Sequence, residues 1–164
     1  MPASTLVLRP ATTDDAPAIA ALLRPLAQAF VVDSRPDAAA PFWASVDEAA
    51  QRRYIAAERY RYTVALEPGG SLAGFIALRD GRHLFHLFVA PAWQRQGLAT
   101  RLWRQACEQA LAAPGLPQPA VFTLNASLPA VGFYQRLGFI TEGDAVTANG
   151  IRFQPMRLTA SAPA

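Results

Sequence analysis

The stretch that decides the fold reads FVAPAWQRQGLA and covers residues 88–99, where an apolar strand pattern stops at Pro91 and a helical pattern starts near Gly97. The first turn of such a helix presents unpaired backbone N–H groups and the partial positive charge of the helix dipole. Gly97 leaves out a side chain where an anion would approach, and Arg95 adds a forked donor beside it. The stretch therefore predicts a cradle for an anion such as a pyrophosphate.

The spacing alone leaves an alternative open, because small residues also begin helices for reasons of packing. Two other phosphate-binding patterns are missing from the sequence, the loop GxxxxGK[ST] and the fingerprint GxGxxG. Their absence argues against a nucleoside triphosphatase and against a dinucleotide-binding Rossmann fold.

The pattern on either side of the cradle alternates between strand and helix periods. Asp80-Gly81 predicts a hairpin turn before the apolar strand 83–89, and the step from that strand to the strand at 121–124 predicts a parallel crossover. A break or kink is expected at Pro25 in the first helix. The remaining predicted elements are strands at 5–9, 62–66 and 72–78, helices from 12, at 45–59, 97–112 and 130–137, and a closing hairpin from 139 to 158.

Length and composition predict one domain with a substantial core, since the chain has 164 residues of which 52% are apolar. We place that domain at residues 1–160 and expect a frayed tail at 161–164. The first fifteen residues do not resemble a signal peptide, and no apolar run reaches 18 residues. These observations favour a cytoplasmic protein that does not enter a membrane.

All 15 basic residues are arginines, and the formal net charge is +3. The absence of lysine excludes lysine nucleophiles, and the arginines fit either an anionic ligand or a coding bias on solvated faces. They form no dense block, which argues against nucleic-acid binding. Cys107 is the single cysteine and there are two histidines, so neither an internal disulfide nor a bound metal is expected.

Three stretches resemble the GNAT superfamily of N-acetyltransferases, in a bacterial branch of uncharacterised substrate. LFVAPAWQRQGLATRLW (87–103) is similar to the family's acetyl-CoA motif, V-x-P-x-x-[QR]-x-x-G-x-[GA] followed by a helix. TLNASLPAVGFYQRLGF (123–139) is similar to its next strand and helix, and NGIRFQPMRL (149–158) to its closing strand. With the opening LRPATTDD, the resemblance covers essentially the whole chain. It implies a mixed α/β fold, with a mostly antiparallel sheet of six to seven strands, one splayed parallel pair and about four helices.

The resemblance also implies where acetyl-CoA would bind. The pantetheine arm would lie in the gap between the strands 83–89 and 121–124, and main-chain N–H groups at the helix start would hold the pyrophosphate. The implied cofactor-binding residues are Phe88, Val89, Gln94, Arg95, Gln96, Gly97, Leu98, Ala99, Thr100, Asn125, Ser127 and Tyr134. Ser127 stands where relatives often have asparagine, and serine can cap the following helix equally well.

Two residues receive chemical roles from the resemblance. Tyr134 matches the tyrosine that protonates the leaving thiolate, and the alternative for it is aromatic packing beside Phe133. His83 matches a position that some relatives use for the general base, with ordinary surface exposure or a water-mediated base as alternatives. His86 lies three residues further along, so strand alternation predicts that it points to the other face and packs in the core.

The acceptor pocket is expected between residues 26 and 60, where Phe30, Phe42, Trp43 and Tyr54 could form walls and Asp33, Asp37 or Glu48 could attract a cationic amine. Loop solvation or helix capping is the alternative role of each acid. Of these, Phe30, Asp33, Trp43 and Tyr54 are the predicted substrate residues. Cys107 lies mid-helix, which argues against an acetyl-cysteine intermediate.

The function predicted from these observations is direct acetyl transfer from acetyl-CoA to a primary amine, most simply of a small molecule. The alternatives are a non-catalytic acyl-CoA-binding or sensing module and a protein or peptide amine acetyltransferase. No metal, nucleic acid or membrane partner is expected, and a homodimer is one option for assembly.

Overall fold

A single sheet forms the centre of the protein in the computed structural model, which describes residues 5–162. Its strands are β1 (Val7–Pro10), β2 (Tyr60–Leu66), β3 (Leu72–Arg79), β4 (His83–Val89), β5 (Ala120–Ala126), β6 (Ile140–Thr141), β7 (Val146–Ala148) and β8 (Ile151–Ala160). Its helices are α1 (Ala16–Ala27), α2 (Ala40–Ser45), α3 (Glu48–Ala56), α4 (Leu98–Ala112) and α5 (Val131–Arg136). The strand order is β1-β2-β3-β4-β5-β8-β6, and β7 pairs with β8.

The predicted mixed α/β architecture with one parallel pair is confirmed. Within the described residues β4 and β5 run parallel and the other paired strands run antiparallel. The sheet has eight strands instead of six or seven, because two short strands, β6 and β7, both pair with β8. The described residues form five α-helices instead of four, because α2, a short helix that was not predicted, precedes α3, which matches the predicted helix at 45–59.

The boundary between α2 and α3 shows which residue begins the second of these helices. The Asp47 side chain accepts a hydrogen bond of 2.7 Å from the Ala50 backbone N–H, so Asp47 is the N-cap. Ser45, predicted to begin the helix, instead donates from its hydroxyl to the Phe42 carbonyl. Glu48 is the first residue of α3 and pairs with Arg52.

The first helix and the C-terminal residues differ in detail from the predictions. α1 continues through Pro25 and ends two residues later, so the proline lies in the last turn. β8 extends to Ala160, and the Ala162 backbone N–H donates to the Gln118 side chain. Pro163 and Ala164, the rest of the predicted frayed tail, lie outside the described residues.

Two apolar clusters pack on opposite faces of the sheet, and burial of their surface is the main force that holds the helices there. On one face, α4 buries Leu98, Leu102 and Ala106 together with Phe122 of β5. On the other face, α1 buries Ile19 and Leu23 against Phe75 and neighbouring strand residues. In residues 5–162, no helix combines the length and apolar character needed to cross a bilayer.

Candidate active site

The parallel strands β4 and β5 separate soon after they begin. Their ladder contains the pairs His83–Thr123 and Leu84–Leu124 and ends there, although both strands continue. A cavity of about 260 Å³ opens where they diverge, and residues from Phe85 to Phe88 and from Asn125 to Ser127 line it. The unpaired edge of β4 leaves backbone hydrogen-bonding groups for another partner, because such groups are costly to bury unsatisfied.

The turn before α4 has the geometry of an anion cradle. Arg95 has φ 61° and Gly97, the N-cap of α4, has φ 83°, so both lie in the left-handed region. An added Cβ at Gly97 would meet no heavy atom within 4 Å, so the space in front of this glycine is open. The first i→i−4 bond of α4 is the one from the Arg101 N–H to the Gly97 carbonyl. The N–H groups of the three preceding residues are therefore available to an anion.

Glutamine side chains hold this turn against the end of β4. The Gln94 amide donates to the Val89 carbonyl at 3.0 Å, and the Gln96 amide donates to the Ala92 carbonyl at 2.8 Å. A left-handed non-glycine residue such as Arg95 costs about 1–2 kcal/mol. These bonds offset part of that strain, and the predicted contacts of Gln94 and Gln96 with the cofactor stay a prediction.

A β-bulge in β4 overturns the prediction that His86 points to the opposite face of the sheet from His83. Ala77 of β3 pairs with His86 and Leu78 pairs with Leu84, so Phe85 is an extra residue opposite β3. Phe85 and His86 consequently pack on the same aromatic cluster, with their ring centroids 4.1 Å apart. His86 is buried as predicted, but it lines the same cavity as His83, and the separation expected from strand alternation is wrong.

His83 lies at the narrow end of the cavity, where the two strands are still paired. Its Nδ1 is 2.8 Å from the Thr123 hydroxyl. Burial, followed by the positive charge of Arg79, lowers the pKa of His83 to about 4. The imidazole is therefore neutral at pH 7 and able to take up a proton.

Tyr134 lies in α5 on the other side of the gap and also lines the cavity. It is buried against Phe133 and Phe139, with ring centroids 5.1 Å and 5.8 Å away. Burial raises the pKa of its hydroxyl, so the phenol keeps its proton at neutral pH. Asn125 and Ser127, at the end of β5 and just beyond it, line the same space.

The predicted substrate residues divide into those that reach the cavity and those that do not. Phe30 and Phe42 line it, and their ring centroids are 5.7 Å apart. Trp43 packs on Phe42, and the Arg24 guanidinium lies over its ring. Tyr54 packs edge-on against Phe85. Asp33 is bound by Arg35, whose proximity lowers the pKa of that carboxyl to about 2. The described residues that line the cavity do not include Trp43, Tyr54 or Asp33.

Several cavity residues were not predicted from the sequence. Arg79 lines the cavity and is the direct cross-strand partner of His83, whereas a two-residue turn centred on Asp80-Gly81 would pair it with Arg82. Phe85 was missed because the bulge breaks the alternation on which the prediction depended. Ile151 and Phe153 come from β8, more than sixty residues further along the chain, and no local pattern indicates their position.

The arrangement supports transfer of a group from a long anionic carrier better than metal or cysteine chemistry. The cradle leads into a cavity that holds one protonated phenol and two neutral imidazoles. Among the described residues there is no cluster of three or more potential metal ligands. Partial burial raises the pKa of the Cys107 thiol, which lies on α4 and packs against the core.

Comparison with known proteins gives the chain a family. A family model described as an acetyltransferase (GNAT) domain matches residues 30–160. No curated protein matches the chain significantly.

Solved structures agree along almost the whole chain. A GCN5-related N-acetyltransferase from Rhodopseudomonas palustris is 25% identical and covers 97% of this chain and 98% of its own, with a TM-score of 0.73. The PaiA N-acetyltransferase from Thermoplasma acidophilum, in complex with coenzyme A, is 15% identical, with coverages of 94% and 99% and a TM-score of 0.74. A spermidine N-acetyltransferase from Vibrio cholerae, in complex with CoA and spermine, is 20% identical, with 96% of each chain covered and a TM-score of 0.65. At these identities the last two show a shared fold.

Proposed function

This chain belongs to the GNAT family of acetyl-CoA-dependent N-acetyltransferases, and we propose that it acetylates the primary amine of a small molecule by direct attack in a ternary complex. The observation that carries the proposal is the early end of the β4–β5 ladder at Leu84, with a cavity between the separated strands. A pantetheine arm can lie in that gap while its diphosphate meets the start of α4.

The cradle residues are proposed to hold the diphosphate through main-chain N–H groups from Arg95 to Thr100. The open space in front of Gly97 supports this assignment, because a phosphate oxygen can approach the backbone there. Backbone groups at Phe88 and Val89, on the edge of β4 that β5 leaves, would bind the amides of the pantetheine arm. Asn125 and Ser127 line the opposite wall and would contact the same arm.

The chemistry proposed is nucleophilic attack by the neutral amine nitrogen on the thioester carbonyl. A backbone N–H near Val89 would stabilise the charge that develops on the carbonyl oxygen. As the C–S bond breaks, the Tyr134 hydroxyl would donate its proton to the departing thiolate of coenzyme A. The absence of lysine and the burial of Cys107 support direct transfer over a covalent acetyl-enzyme.

The proton of the attacking amine would leave through His83 or through water. His83 lines the cavity and contacts the Thr123 hydroxyl, which places it for a base, although its lowered pKa makes the imidazole a weak one. With the His83 pKa at about 4, a base at this position would lose activity only well below pH 6. A His83→Asn variant that keeps the wild-type pH profile of kcat/KM would assign the proton to water instead.

A small-molecule acceptor is supported by the size of the cavity. About 260 Å³ lies just below the usual range of ligand pockets, ~300–1,000 Å³, and the pantetheine arm would share this space with the acceptor. A peptide or protein amine is the alternative acceptor, and we propose a cytoplasmic enzyme for either acceptor.

The test is release of free thiol from acetyl-CoA, measured across a library of amines, with Tyr134→Phe as the matched variant. We expect Tyr134→Phe to lower kcat by roughly 100-fold, the usual size of a general-acid contribution, with little change in KM for acetyl-CoA. Tight acetyl-CoA binding without thiol release for any amine would favour a sensing module. An unchanged kcat in Tyr134→Phe would show that the phenol only packs.

A further inference from the structure

One wall of the cavity is aromatic and aliphatic. The side chains there come from α1, α2, β4 and β8 and the turn after α1, and they include Phe30, Phe42, Phe85, Phe88, Ile151 and Phe153. An apolar wall of this kind favours an acceptor with an aromatic or branched aliphatic group, because burial of that group in the cavity is favourable.

One positive charge borders this apolar space. Arg79, the last residue of β3, lines the cavity, and its guanidinium carbon lies 5.7 Å from the centre of the Phe85 ring. The nearest acid in sequence, Asp80, is bound by Arg59 through two hydrogen bonds of 3.2 and 2.8 Å. Within residues 5–162 Arg79 forms no ion pair, so its guanidinium can bind an anion.

No carboxylate balances this charge in the cavity. Among the described residues that line it, none is an aspartate or a glutamate. His83 and His86 are both uncharged at neutral pH, with pKa values lowered by burial to about 4 and about 3. Asp33, Asp37 and Glu48, the acids predicted to attract a cationic amine, do not line the cavity, and two of them are paired, Asp33 with Arg35 and Glu48 with Arg52.

The charge pattern discriminates between classes of amine. An acceptor with a second cationic group would bring that group towards Arg79 and an apolar wall, which is unfavourable. An acceptor with a carboxylate would meet a guanidinium whose fork matches the two oxygens. Arg79 also faces His83 across the β3–β4 pair. A carboxylate bound at Arg79 therefore keeps the amine of the same acceptor close to His83, where the gap between β4 and β5 begins.

We propose that the acceptor is an apolar amine that carries a carboxylate, such as an aromatic or branched-chain amino acid, and that Arg79 selects it by binding the carboxylate. This inference rests on the proposed acetyltransferase function and specifies its acceptor. The apolar side chain of the acceptor occupies the aromatic wall, and its amine points towards the gap between β4 and β5.

The test compares amines that differ only in the carboxylate. Thiol release from acetyl-CoA is measured with phenylalanine and phenethylamine, with leucine and isopentylamine, and with spermidine. The kcat/KM ratio of each matched pair is then measured in the wild type, in Arg79→Gln and in Arg79→Lys. Arg82→Gln removes the same charge from the same hairpin but lies outside the cavity lining, so it is the control.

We expect the wild type and Arg82→Gln to favour the carboxylate-bearing member of each pair. Arg79→Gln should lower that preference by about 10- to 100-fold, the usual effect of a charged hydrogen-bond pair, and Arg79→Lys should retain part of it. Comparison of ratios between variants removes the intrinsic difference in reactivity between the amines. Because Arg79→Lys and the wild-type comparison do not depend on Arg79→Gln folding, the proposal stays testable if that variant is unstable.

The outcomes separate this inference from the proposed function. A wild type that prefers spermidine or the decarboxylated amines, or an Arg79→Gln variant that keeps the wild-type ratio, overturns the role of Arg79 and leaves acetyl transfer intact. Absence of thiol release with every class of amine overturns the acetyl transfer itself, and the inference with it.

Discussion

Removal of the His86 imidazole should make the protein markedly less sensitive to acid. His86 is nine-tenths buried among Phe75, Phe85 and Phe88, and its Nε2 has no hydrogen-bond partner within the described chain. Burial lowers the pKa of this imidazole to about 3, and neighbouring His83 contributes in the same direction. The folded protein therefore holds this ring neutral at pH values where the unfolded chain protonates it.

The size of the effect follows from the difference between the two states. With an unfolded pKa of ~6.5, proton uptake by this histidine stabilises the unfolded chain by about 2 kcal/mol at pH 5 and by about 0.2 kcal/mol at pH 7. The folded state takes up almost no proton at either pH, because its pKa lies well below 5. Stability is thus lost as the pH falls from about 6.5 towards about 3.

The variant His86→Leu keeps an apolar side chain in the cluster and has nothing to titrate. Urea unfolding followed by tryptophan fluorescence at pH 7 and pH 5 gives the free energy of unfolding of each protein. On going from pH 7 to pH 5 we expect the wild type to lose about 2 kcal/mol more than His86→Leu. Carboxylates that titrate in the same interval are common to both proteins and cancel in the comparison.

A second variant and a refuting result complete this experiment. His83→Asn should also lose less stability than the wild type from pH 7 to pH 5, because the lowered pKa of His83, about 4, keeps its imidazole unprotonated in the folded protein at pH 5. Equal losses of stability in the wild type and in His86→Leu would mean that the folded protein accepts a proton at His86. The buried, uncharged state deduced for that ring would then be wrong.

Three further substitutions test the cradle, the core and the contact between Gly150 and Ala38. Gly97→Ala should cost about 1–2 kcal/mol of stability because of its φ of 83°, and it should also raise KM for acetyl-CoA. Gly115→Ala, at a φ of 87° and with equally open space, should cost the same stability without changing KM. Equal KM values in the two variants would contradict the cradle. Tyr62→Phe removes the 2.7 Å hydrogen bond to buried Gln51 and should lower the free energy of unfolding by about 1–3 kcal/mol; a neutral effect in urea unfolding would show that Gln51 finds another partner. Gly150→Ala would place a Cβ 2.7 Å from the Ala38 carbonyl. It should destabilise the protein more than Gly143→Ala, at a glycine that also has a positive φ but open space around it. Similar melting temperatures for the two variants would refute a close contact between Gly150 and Ala38.

The cradle and the elements around it follow directly from local sequence patterns. The limits of β4 at His83 and Val89 are those predicted, and α4 begins one residue after the predicted glycine. A helix start, an apolar strand and an Asp-Gly turn are each encoded within a few neighbouring residues, so a single sequence is enough to find them.

The lining of the acceptor cavity depends on contacts between distant segments. The bulge at Phe85 exists only in the pairing of β4 with β3, and it places His86 beside Phe85 where the two-residue period of an isolated strand predicts opposite faces. Arg79, Ile151 and Phe153 likewise reach one cavity from strands far apart in the chain. Periodicity is a property of neighbours along the backbone, whereas register and cavity walls arise from pairing across the sheet. The sequence therefore specified where the proposed cofactor cradle lies, and only the assembled sheet showed which side chains line the cavity proposed for the acceptor.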